Sequence, residues 1–274
     1  MKKTIAGADT DRFQGGADKY AAYLGTPEGR LRLDLAYSNL QEFLPQVTRS
    51  LRALDIGCGT GATAVCLARL GFQVTLLDSS LPMLELARRA AYEAGVSDNI
   101  AVKNGDAAEL ANLFDAGSFD VILCHNTLEY VDDPDAVLRG AARLLRDSSA
   151  ILSVVVRNQA GEVLKAAIKD GDLTSAKHNI AAEWAHESLY GGSVRLFRPD
   201  TLKAMLAAAS LALTAERGVR VMSDYLPPQL SRSAEYERIL KLERKIGRLP
   251  EFAAVARYSQ YIAHRAGPAN ENRA

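Results

Sequence analysis

"LDIGCGTG", residues Leu54 to Gly61, alternates three glycines with other residues and sets Asp55 two places before the first. Glycine has no Cβ and tolerates positive φ, so such a run lets the backbone turn sharply and approach something closely. The flanks say which turn this is. "RALDI" (52–56) is a short apolar strand, and "ATAVCLARLG" (62–71) reads as a helix closed by Gly71. A strand-to-helix turn of this kind sits at the carboxyl end of a sheet, where open α/β sheets bind their ligands.

Strand and helix keep alternating outward from that turn. "QVTLLD" (73–78) is a β-branched strand, and "LPMLELARRAAYEAG" (81–95) is a helix with Pro82 in its first turn and Gly95 behind its last. "NIAVKNGD" holds a third strand, "FDVILCH" (119–125) a fourth and "AILSVVV" (150–156) a fifth, with a helix over 133–146 before the last. The strands are near-continuous apolar runs, as in parallel strands covered on both faces. The expected fold is α/β, a doubly wound sheet. Residues 1–30, polar and glycine-rich, read as a flexible arm or lid. Residues 31–265 read as one domain, opened by a helix over 31–44 that Pro45 stops. After Val156 the rhythm breaks, and 157–198 reads as an irregular helical insertion capping the substrate. A helix at 199–209, a strand pair in "LALTAERGVRVMSD", a charged helix at 232–247, a last strand "YSQYIAHR" and a disordered tail over 266–274 complete the expectation.

Bulk properties remove several classes. With 274 residues, 48% of them hydrophobic, the chain can bury a sizeable core. Lys+Arg and Asp+Glu balance at 33 each, so no overall basic excess advertises nucleic acid. Cys58, Cys66 and Cys124 form no CxxC pair, which fits reduced thiols in a cytoplasm and supports neither a disulfide framework nor a zinc knuckle. No His/Cys cluster or acid pair with metal-ligand spacing appears, so no metal is expected. Met1-Lys2-Lys3 is followed by no apolar stretch of a secretory signal, and no run approaches the ~20 residues of a membrane span.

Two ligands suit the glycine turn: a nicotinamide dinucleotide and S-adenosylmethionine. The dinucleotide fingerprint is G-x-G-x-x-G, with a pyrophosphate at the helix N-terminus. Here Gly57, Gly59 and Gly61 give G-x-G-x-G instead. S-adenosylmethionine carries an ammonium and a carboxylate at its amino-acid end. Asp55 can serve the ammonium or simply order the turn, and bare loop amides can serve the carboxylate. Asp78 ends the second strand and can accept both ribose hydroxyls, a feature dehydrogenases share. Asp106, after the third strand, can read the adenine edge or only cap a helix. Met83, one turn into its helix, can lie against the adenine or only fill the core. His125 closes the fourth strand, where it can line the site or act as a base. An NAD-dependent oxidoreductase is therefore the weaker alternative.

Taken together, "YLGTPEGRLR" (23–32), "LDIGCGTGAT", "GVSDNI" (95–100), "HNTLEYVDDP", "GVRVMSDYL" (218–226) and "ARYSQYI" (256–262) resemble the class I S-adenosylmethionine-dependent methyltransferases. Within them the chain resembles the bacterial tRNA 5-carboxymethoxyuridine methyltransferase family, over nearly its whole length. The resemblance implies a seven-stranded Rossmann-like sheet. It also implies that Arg32 holds the cofactor carboxylate and that Gly57 and Cys58 offer backbone. Asp78 would take the ribose, Ala107 and Ala108 would present backbone to the adenine, and His125 would line the methionine end. Substrate is then a carboxylate on tRNA, with a small-molecule acid or other metabolite as the alternative acceptor. A carboxylate needs no base, only orientation, for which Arg157, Arg195, Arg198, Arg220 and Arg257 are candidates and Tyr225 an aromatic partner. Arg157 and Ala160 stand where that family has Tyr and His.

Overall fold

The computed structural model describes residues 10–187, 189, 191–227, 229–230 and 232–267. Two helices come first. α1 (Thr10–Leu24) leads into α2 (Pro27–Gln41), which Thr26 caps by accepting the Gly29 amide at 3.1 Å, with Pro27 in the first turn. Then follow β1 (Arg52–Ile56), α3 (Ala62–Arg69), β2 (Gln73–Asp78), α4 (Leu81–Glu93), β3 (Ile100–Asn104), α5 (Leu110–Leu113), β4 (Val121–His125), α6 (Pro134–Leu144) and β5 (Ile151–Arg157). α7 (Gln159–Leu164), continued by a π-turn to Lys169, α8 (Leu173–Asn179) and a hairpin of β6 (Trp184–His186) and β7 (Ser193–Arg195) form the insertion. α9 (Pro199–Ala208), β8 (Leu211–Val219), α10 (Tyr236–Ile246), α11 (Pro250–Ala253) and β9 (Tyr258–Arg265) complete the chain.

The main sheet has seven strands in the order β3-β2-β1-β4-β5-β9-β8. β1 to β5 are parallel, and β9 runs antiparallel between β5 and β8. Alternate residues of each central strand feed opposite cores, as the two-residue repeat of a strand dictates. Leu54, Ile56, Ile122 and Cys124 pack with α6 and α9, while Ala53, Val121 and Leu123 pack with α3 and α4. A third cluster joins Leu31 and Leu35 of α2 and Ile239 of α10 to Tyr258. That cluster roofs the β5/β9/β8 end of the sheet.

Four expectations differ from what is observed. Thr10–Leu24 is a helix packed on α4 and α2, where a flexible arm was expected. α2 starts at Pro27 because Thr26-Pro27 is a cap followed by a first-turn proline. The insertion carries a hairpin as well as helices. The strand pair is instead one nine-residue strand, β8, because Gly218 makes a close approach and no turn. A Cβ on Gly218 would lie 3.0 Å from the Ala253 Cα. The expected disordered tail lies outside the described residues from 268 onward.

Candidate active site

All three glycines of the opening stretch have left-handed backbone, with φ of 65°, 53° and 72° at Gly57, Gly59 and Gly61. Only glycine takes such a conformation at three alternate positions without strain. A Cβ on Gly57 would also meet the Thr127 Oγ1 at 2.4 Å. The turn thus clears the floor of a cavity of about 610 Å³ at the carboxyl edge of the sheet, within the range typical of small-molecule sites.

The loop amides, however, face the protein. Gly57 and Cys58 both donate to the Leu77 carbonyl, at 2.8 and 3.1 Å, and Gly61 donates to the Cys58 carbonyl at 2.9 Å. Gly59 donates to Asp78 Oδ2 at 2.9 Å, while Asp78 Oδ1 accepts from Ser80. This corrects the expectation that bare amides receive the cofactor carboxylate. Arg32 is a cation beside this turn. It is buried and lines the cavity, donating to Tyr20 Oη at 2.8 Å and to Asn126 Oδ1 at 3.1 Å.

At the β2–β3 end of the cavity lie Asp78, Met83, Asp106, Ala107 and Ala108. Asp106 caps the turn after β3 by accepting the Ala108 amide at 2.8 Å, so that amide is spent. Asp55 and Cys58 do not line this cavity. They sit behind the glycine turn in a small adjoining pocket that Arg32 and His125 share. Burial, then the charge of Asp78, pushes the Asp55 carboxyl up to about 8. A positive group brought nearby therefore favours its ionised form.

The opposite end, over β4, β5 and β9, is built from ion pairs. Arg157, Arg220 and Arg257 line the cavity and are largely buried. Arg157 pairs with Glu162 at 3.0 Å and with Glu187 of the insertion. Arg257 Nη1 lies 2.7 Å from Glu162, and Arg220 pairs with Asp224 while donating to Tyr23 Oη at 3.0 Å. Arg157 holds the Glu187 carboxyl below its usual range against burial, and Arg220 does the same for Asp224. Tyr258 stands among them. Burial raises its phenol, but Arg157, Arg32, Arg257 and Arg220 outweigh that and hold it below the usual phenol range. The other candidates lie elsewhere. Arg195 stacks on Trp184 with 4.9 Å to the ring centroid, Arg198 is exposed and pairs with Asp200, and Tyr225 is outside the cavity lining.

Several lining residues carried no expectation. Tyr20, Tyr23 and Phe13 come from α1, which closes one wall; Ser80 Oγ donates to the Phe13 carbonyl at 3.2 Å. Asn126, at φ 54°, links Arg32 to Glu129 Oε1, which in turn accepts the Arg157 amide at 2.8 Å. Glu243, fully buried on α10, accepts the amides of Val221, Met222 and Ser223 at 2.7, 3.0 and 2.7 Å and so clamps the turn carrying Arg220. Asparagine's tolerance of left-handed backbone was a readable signal; the buried glutamate offered none. Among the described residues no group of three or more His, Cys, Asp or Glu is placed to hold a metal, and no helix is long and apolar enough to cross a membrane.

Sheet order, glycine turn and the acid at the tip of β2 define a class I S-adenosylmethionine-dependent methyltransferase. Residues 54–153 match the Methyltransf_11 methyltransferase domain. In structure the chain resembles the CcbJ methyltransferase of Streptomyces caelestis, at 20% identity and a TM-score of 0.62, covering 94% of this chain and all of that one. It also resembles the Streptomyces coelicolor geranyl diphosphate C-methyltransferase solved with S-adenosylhomocysteine, at 16% identity and a TM-score of 0.54, covering 84% of this chain and 78% of that one. In sequence it is 30% identical over 264 residues to the tRNA 5-carboxymethoxyuridine methyltransferase of Escherichia coli K12, covering 92% of this chain and 95% of that one. The chain belongs to the family of that enzyme. The ubiquinone biosynthesis O-methyltransferase of Xanthomonas axonopodis is 39% identical over 116 residues, covering 41% of this chain and 46% of that one.

Proposed function

We propose that this methyltransferase esterifies a carboxylate, that of 5-carboxymethoxyuridine in tRNA. The observation that carries this reading is the set of three largely buried arginines, Arg157, Arg220 and Arg257, at the end of the cavity away from Asp78. Similarity to the E. coli enzyme along 92% of the chain supports the particular acceptor.

S-adenosylmethionine, when bound, supplies a methyl group already activated by the sulfonium charge. Asp78 would hold its ribose, Met83 and the 106–108 turn its adenine, and Arg32 its carboxylate. The residues' own work is then alignment and exclusion of water. A carboxylate acceptor is ionised at neutral pH, its ordinary pKa being ~4. An arginine fork can fix the plane of that carboxylate. Each of the three arginines already faces a protein carboxylate, so the acceptor exchanges with Glu162, Glu187 or Asp224. α1 supplies the wall that closes over the cofactor. Cytoplasmic tRNA is the expected partner.

Incubation with methyl-labelled S-adenosylmethionine and total tRNA from a strain lacking its own enzyme tests this. Label in tRNA is expected. Its absence, with label in a small organic acid, would move the reading to a metabolite acceptor.

A further inference from the structure

His125 was open to two roles, wall or base. The polar residues behind it decide between them. Ser153, on β5 and fully buried, has its Oγ 2.8 Å from His125 Nε2 and 3.0 Å from Gln260 Nε2. Gln260, on β9, is also fully buried, and its Nε2 lies 3.0 Å from the Ala36 carbonyl oxygen. A carbonyl oxygen only accepts, so this end of the amide must be its nitrogen. The oxygen end agrees: Gln260 Oε1 accepts from Asn39 Nδ2 at 3.0 Å. Both protons of Gln260 Nε2 are then committed, one to Ala36 and one to Ser153.

Ser153 Oγ is therefore an acceptor towards Gln260, and its own proton needs a partner. Among the described residues no hydrogen bond joins that hydroxyl to anything except Gln260 and His125. Were His125 Nε2 protonated, two donors would converge on Oγ and the hydroxyl proton would be orphaned inside the sheet, which buried polar groups avoid. The arrangement that satisfies every atom has Ser153 donating to a bare Nε2.

We infer that the Asn39–Gln260–Ser153 chain fixes His125 as the neutral Nδ1–H tautomer, making it a hydrogen-bond donor in the cavity and closing it as a base. Ser153 and Gln260 are positioning residues in this assignment. Neither ring nitrogen is left to take a proton from an acceptor: Nε2 has its lone pair on Ser153, and Nδ1 already holds a proton. Burial, then Arg32, holds the imidazole down to about 3, which agrees with a neutral ring. The assignment holds whatever the acceptor is, and it suits one that arrives ionised.

Two-bond proton–nitrogen correlation spectra of histidine-labelled full-length protein test it without any acceptor. The chain has four histidines, and His125→Gln identifies the relevant signals. The expected pattern is Nδ1–H, unchanged from pH 6 to 8 and on adding S-adenosylhomocysteine. An Nε2–H pattern, or an imidazolium in that range, overturns the inference. Ser153→Ala should lose the bias and show Nε2–H as a substantial population, while Ser153→Thr, which keeps the hydroxyl, restores Nδ1–H. An alanine variant that keeps a pure Nδ1–H pattern, with the other three histidines unmoved, overturns the relay. Should it fail to fold, the wild-type and threonine spectra still decide.

Discussion

Asp78→Asn separates the two jobs of one carboxylate. Asp78 Oδ2 accepts the Gly59 amide at 2.9 Å and Oδ1 the Ser80 amide at 2.9 Å. It therefore braces the glycine turn before any ligand arrives, while still lining the cavity. Asparagine keeps one acceptor and turns an NH2 towards the other amide. A donor facing a donor leaves both unsatisfied, at a cost of ~1–3 kcal/mol to the fold. Losing a charged acceptor for the ribose adds a separate loss of ~1.5–3 kcal/mol in binding, which is roughly tenfold to a hundredfold in affinity. Calorimetric titration with S-adenosylhomocysteine reads the second quantity and urea denaturation reads the first. The variant should be weaker on both. Affinity within threefold of wild type in a folded variant would refute the placement of the ribose at Asp78.

Gly57→Ala should destabilise by at least ~2 kcal/mol in urea titration, from the left-handed φ and the contact with Thr127, whose hydroxyl is tied to the Ile56 carbonyl. Arg257→Lys keeps the charge but loses the fork, so KM for the acceptor should rise ~10-fold or more while S-adenosylhomocysteine affinity stays within twofold. Asp55 has a folded pKa raised to about 8 above an ordinary value near 4. Its burial therefore costs nothing at acid pH and costs progressively more as pH rises from 4 through 8. Asp55→Asn should accordingly gain stability relative to wild type at pH 8 but not at pH 4. Cofactor binding should release protons near pH 7 in wild type, seen as a buffer-dependent binding enthalpy, and not in the variant. Gly15→Ala on the exposed face of α1, where a Cβ meets nothing within 4 Å, should stabilise by ~0.5–1 kcal/mol in thermal unfolding.

The five parallel strands were readable because each is an apolar run between turn residues, and β9 because its eight residues are uninterrupted. α1 was not, since Gly15-Gly16 argues against a helix that tertiary packing on α4 then sustains. β8 is not legible as one strand because a packing glycine and a turn glycine look alike in sequence. Asp78, Met83, Asp106 and Arg32 all reached the cavity, but the direction of the loop amides could not be read from a one-dimensional pattern. Nor could the ion-pair chain at the arginine end of the cavity. Arg157, Arg220 and Arg257 are scattered over 100 residues and meet only because β9 inserts between β5 and β8.

The chemical nature of the transferred methyl tests the acceptor assignment most directly. After reaction with methyl-labelled S-adenosylmethionine and tRNA bearing 5-carboxymethoxyuridine, mild alkali should release the label as methanol, because a methyl ester hydrolyses. Label on the tRNA that survives alkali, as an ether, amine or carbon-bound methyl does, would contradict a carboxylate acceptor.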